Sequence, residues 1–145
     1  MKKIYPLIIL FGLSAFVFSN CSEDSGGDGP PIPEPTEMEL ITADTWQFVD
    51  KILNSFSIYS TLDECEQNDA LLFKTSGKGE FLEGPTRCDG NDPWSTSFNW
   101  SFRGDSTEFR IDLDSFTIEE LSATKFSYTK IGGPDDVTWV YELMD

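Results

Sequence analysis

The chain has 145 residues, with 10 lysines and arginines against 26 aspartates and glutamates, no histidine and a formal charge of −16. A balance this acidic argues against nucleic acid as a partner and against docking on anionic head groups by charge. The lack of histidine excludes a Ser-His-Asp triad and any histidine-liganded metal site.

Residues 1–20 place Lys2 and Lys3 ahead of an apolar run from Leu7 to Phe18 that is short for a membrane span. The stretch resembles a bacterial lipoprotein signal peptide, with Phe18-Ser19-Asn20-Cys21 standing at the lipobox; Asn20 departs from the usual small residue there. The resemblance implies that Cys21 is lipidated with palmitate-type chains and becomes the mature N-terminus. An ordinary secretory signal is the other reading. Loss of Lys2 and Lys3 leaves eight basic residues and a charge of −18. Three cysteines less one acylated leave an even two.

Residues 21–36 carry Gly, Pro and acidic residues with Ile32 as the one large apolar side chain, so they are expected to be an extended, disordered tether. Ser22-Glu23-Asp24 resembles the acidic export tracts of surface lipoproteins in some Gram-negative bacteria. That implies an outer-membrane protein facing outward, the alternative being a tether facing the periplasm. The folded domain is expected over residues 37–145.

Residues 38–44 suggest a short turn or helical cap. The first strand is expected over residues 45–53, with Trp46, Phe48 and Ile52 on one face. Residues 54–64 show no clean period and read as a lid or covering loop. A hairpin follows, its arms at residues 69–75 and 80–83, with Gly77 and Gly79 supplying the positive φ of a tight turn. If Thr75 pairs with Glu80, the ladder runs out toward Gln67 and Cys88, and Cys65 comes close to Cys88. A Cys65–Cys88 disulfide is then expected; two buried free thiols are the alternative. Residues 89–93, Asp-Gly-Asn-Asp-Pro, are rich in oxygen ligands but lack the calcium-loop spacing and read as a turn.

Phe98, Trp100 and Phe102 alternate with polar residues, and Phe109, Ile111 and Leu113 do so after the turn at Gly104-Asp105-Ser106. Two such runs predict a second hairpin with one buried face. Further strands are expected over 115–121 (Phe116 and Ile118 on one face), 125–131 (Phe126 and Tyr128 inward) and 137–144 (Val137, Trp139, Tyr141 and Leu143 in phase). Asp105-Ser106-Thr107 also resembles a periplasmic O-glycosylation acceptor.

These residues predict an all-β domain of eight strands. Short links favour sequential antiparallel neighbours, and a meander of this size can abolish its edges by closing on itself. The expected architecture is therefore an eight-stranded antiparallel up-and-down barrel. A β-sandwich needs longer crossovers, for which only residues 54–68 qualify, and ranks second.

The run from Leu62 through Cys65 and Asp69 to Phe73, then Ser76-Gly77, Cys88, Phe98-Asn99-Trp100-Ser101 and Tyr128, resembles the bacterial lipocalin-like domain family. The resemblance covers about residues 42–144 and implies a lipocalin-like, calycin-type barrel on a small lipid-anchored protein. Asp44-Thr45-Trp46 stands where true lipocalins have Gly-x-Trp, and no arginine follows Arg110 to pack over that tryptophan.

An eight-stranded barrel is just wide enough to be filled by its own side chains or to hold one small ligand. The candidate ligand-lining residues are Trp46, Phe48, Phe73, Phe98, Trp100, Phe102, Tyr128, Trp139 and Tyr141; Phe109, Phe116 and Phe126 are also expected inward. They either fill the barrel or line an apolar pocket. No catalytic constellation, cofactor or metal site is expected. Two functions remain: a lipid-anchored module binding a small hydrophobic ligand, and a structural lipoprotein with a filled barrel and an envelope protein partner.

Overall fold

A computed structural model describes residues 33–144. The lipidation site at Cys21, the signal sequence and most of the tether lie outside the described residues. The folded unit is announced by Thr36, which caps helix α1 (Glu37–Ile41). The backbone N–H of Glu39 donates to Thr36 Oγ1 at 3.2 Å, and the N–H of Thr36 donates back to Glu39 Oε2 at 2.8 Å. This reciprocal cap satisfies donors that a five-residue helix cannot satisfy itself.

Strands follow as β1 (Thr45–Leu53), β2 (Phe56–Ser57), β3 (Ala70–Phe73), β4 (Lys78–Leu82), β5 (Ser95–Arg103), β6 (Glu108–Ile111), β7 (Asp114–Leu121), β8 (Lys125–Lys130) and β9 (Val137–Leu143). From β3 onward each pairs antiparallel with the next, β1 pairs with β3, and β9 returns to pair with β1. The result is a closed eight-stranded antiparallel barrel, as the alternation predicts, and not a sandwich. The additional strand, β2, is two residues long and pairs with the end of β1 through Ile52–Ser57 and Leu53–Phe56. Its turn uses Asn54 and Ser55 at positive φ, so part of the supposed lid is a hairpin.

The barrel has a closed end and an open one. Helix α1 lies at the end where β1 begins. Ile41 is fully buried, and its carbonyl accepts the indole N–H of Trp46 at 2.9 Å. Above it, Trp46, Leu71, Phe73, Phe109 and Phe126 are almost wholly excluded from solvent. Phe73 sits at the centre of this layer, with ring contacts to Phe98, Trp100, Phe109 and Phe126.

Four expectations are corrected. Phe73 stands opposite Gly79 and Ala70 opposite Leu82, whereas a Thr75–Glu80 pair would have set Phe73 against Leu82. The turn is tighter: Lys74 N–H donates to the Lys78 carbonyl at 2.8 Å, and only Gly77 takes positive φ. Gly79 is glycine for a different reason. A Cβ there would run into the Phe98 ring and lie 2.9 Å from the Leu72 carbonyl oxygen. Second, a bulge between Phe48 and Asp50 reverses the phase of β1. Lys51, not Ile52, stands opposite inward-facing Trp139. Third, Leu113 does not continue the buried face of β6. Asp112 turns the chain at φ +50°, and Leu113 is 90 % exposed. Fourth, the strand count rises from eight to nine through β2.

Candidate functional site

At the open end the inner wall changes character. Phe48, Phe81, Trp139 and Tyr141 surround a hollow whose remaining lining is Lys51, Leu62, Glu66 and Asp69. Sharing Phe81, Trp139 and Tyr141, a second cavity of about 250 Å³ continues inward against Ile111, Phe116 and Tyr128, with Asp114 and Lys130 at its edge. Together they form one cup in the upper half of the barrel.

The aromatic wall residues are placed by strand pairing. Tyr128 stands opposite Trp139 and Phe126 opposite Tyr141, so β8 and β9 aim two pairs of rings at the interior. Tyr128 stacks on Trp139 at 5.5 Å and on Tyr141 at 5.6 Å. The two tyrosine hydroxyls lie 3.1 Å apart and share a hydrogen bond. Burial away from water raises both phenol pKa values, so both stay neutral at ordinary pH. Phe81 faces inward because it is in phase with Gly79, yet it remains 39 % exposed because it stands at the mouth. Lys130 is paired with Asp114 at 2.8 Å, and Lys51 Nζ lies 6.0 Å from the Trp139 ring centre.

Asp69 is a polar residue of the cup that does not figure among the candidate lining residues expected from the sequence. Its carbonyl accepts the Phe48 N–H and the Gln47 side-chain amide, each at 3.0 Å, which fixes the residue beside β1. Its Oδ1 is buried and has no hydrogen-bond partner among the described residues. Desolvation raises its pKa to about 6; the charges of Glu83 and Glu66 push the same way, and the Gly84 N–H opposes them.

Of the nine candidate lining residues, Phe48, Tyr128, Trp139 and Tyr141 meet in the cup. Trp46, Phe73 and Phe98 are packed in the aromatic layer below. Trp100 and Phe102 lie toward the closed end. The Trp100 indole N–H donates to the Lys74 and Lys78 carbonyls, both at 3.1 Å, and so closes the β3–β4 turn. Both line an outward depression of about 430 Å³ with Met38 and residues 75–77. That hollow is the larger by volume, but Thr75, Ser76 and Gly77 of its lining belong to the β3–β4 turn. The cup is walled by side chains that the sheet holds in register, which makes it the better-built site.

Cys65 and Cys88 are joined by a disulfide, with their Cα atoms 5.1 Å apart. It ties the long β1–β3 connection, which carries Leu62 and Glu66, to the β4–β5 loop. Both loops are at the mouth. In residues 89–92 the polar atoms serve the turn itself: Asp89 Oδ1 accepts the Asn91 N–H at 2.9 Å, and Arg87 donates to the Asp92 carbonyl.

No protein-family model matches this chain, and no curated protein matches it.

Proposed function

We propose that this chain is a lipid-anchored cell-envelope protein of the bacterial lipocalin-like kind, whose barrel binds a small, largely apolar ligand in the cup. The observation that carries this reading is the division of the barrel interior. Its lower half is filled by interlocked rings, while its upper half is a side-chain-walled hollow of ligand size, open to solvent and stapled at its rim. The acylated Cys21 would hold the protein at the outer membrane, facing outward, and no chemistry is assigned to the cup.

The test is uptake of the neutral fluorophore N-phenyl-1-naphthylamine. Its emission is expected to rise on mixing with the protein. Trp139→Ala removes a wall ring and is expected to weaken uptake about fivefold or more, since an aromatic contact contributes roughly 1 kcal/mol beyond its area. Its far-UV circular dichroism should be unchanged. No emission rise with the native protein would sink the reading.

One observation favours a second reading, an envelope protein partner seated on the mouth. Each of the four connections at the open end carries a large exposed apolar residue: Phe56, Trp94, Leu113 and Ile131. Such a rim is suited to a partner's apolar surface.

A further inference from the structure

We propose that the cup selects a ligand carrying a protonated amine on an apolar, aromatic-sized body. This rests on the cup being a binding site and names the class of ligand it takes.

The inference comes from what stands unsatisfied in the wall. Asp69 lines the same hollow as Phe48, Phe81, Trp139 and Tyr141, and its Oδ1 is buried just beneath that wall with no hydrogen-bond partner among the described residues. A buried carboxylate oxygen with no donor costs free energy that a ligand N–H can restore. Aromatic faces around it add the attraction of their π clouds for a cation. Desolvation makes both interactions stronger than they would be on the surface.

The other charges sort themselves. Lys130 is engaged by Asp114. Lys51 shares the wall and would suit a carboxylate ligand, but Glu66 is in the same lining and Glu83 is close enough to raise the Asp69 pKa. The local balance is negative, and the chain's charge of −16 favours the approach of cations. A neutral phenol pair at the floor, Tyr128 and Tyr141, leaves the deeper part to an uncharged ring.

The experiment is calorimetric titration of the full chain at pH 7.5 with three probes of one shape: 2-phenylethylamine, 2-phenylethanol and 3-phenylpropanoate. The amine is expected to bind about tenfold or more tightly than the other two, the scale of one charge-assisted hydrogen bond. Asp69→Asn should erase that preference and leave the alcohol's affinity in place, whereas Lys51→Gln should preserve it. The preference should also shrink below pH 6 in the native protein, as Asp69 takes up a proton, and stay absent at every pH in Asp69→Asn. Equal affinities, a preference for the carboxylate, or a preference that survives Asp69→Asn would overturn the amine assignment while the cup still binds. Binding of none of the three would overturn the cup itself, and the amine assignment with it.

Discussion

Phe73→Ala is expected to destabilise the barrel by about 3–5 kcal/mol, measured by urea denaturation. Phe73 is 1 % exposed and touches four other rings, so deleting it leaves a hole that no single neighbour can fill. Domains of this size have roughly 5–15 kcal/mol in all, so much of the stability would go. The corresponding change at the rim, Trp94→Ala, is expected to stay within about 0.5 kcal/mol, because that ring is 58 % exposed and its neighbour is Arg87 at 4.2 Å. A loss below about 1 kcal/mol at Phe73 would mean that the aromatic layer is looser than its contacts imply.

The second large effect is the disulfide. Replacing both Cys65 and Cys88 by alanine is expected to cost about 3 kcal/mol, the loop-closure value for a separation of 23 residues. Replacing both avoids leaving a lone thiol at the nearly buried Cys65 position. The consequence reaches past stability. The staple holds the connection that carries Leu62 and Glu66 against the rim, so uptake of N-phenyl-1-naphthylamine should weaken along with the denaturation midpoint. An unchanged midpoint would show that the two loops are held by their other contacts.

The barrel was legible because its strongest signal is local. Phe98-Asn99-Trp100-Ser101-Phe102 can satisfy both its backbone and its apolar side chains only as a half-buried strand, and seven further short strands joined mainly by short links favour closure. What escaped was set by single residues whose role depends on distant neighbours. Gly79 looked like turn chemistry, yet its constraint comes from the Phe98 ring across the ladder. An unbroken alternation from Trp46 and Phe48 to Ile52 would put Lys51 outward, and one bulge reverses it. Asn54 and Ser55 make a hairpin turn without the glycine that usually marks one. Leu113 kept the period of β6 but fell one residue beyond where Asp112 ends the strand. The cysteine pairing came out as expected even though the register behind it was off, because Cys65 lies in a loop and not on the ladder used to place it. Asp69 belongs to the run that carries the family resemblance, but nothing in that run marks it as part of the cup. An aspartate ahead of an apolar run is ordinary in sequence, and only the approach of β1, Glu83 and Tyr141 in space makes it unusual.

The seam between β1 and β9 also governs how this chain must fold. Trp46 pairs with Leu143 and Leu53 with Val137, so the first and last staves meet only across nearly the whole domain. Contacts this distant in sequence make folding slow, because the loop must be closed before the pairing rewards it. A chain that emerges N-terminus first can form its hairpins early, yet it carries β1 and β8 as bare edges until residues 137–143 arrive. The interval before the last strand is therefore when the protein is most exposed to aggregation, and its final seven-residue strand acts as the latch that ends it.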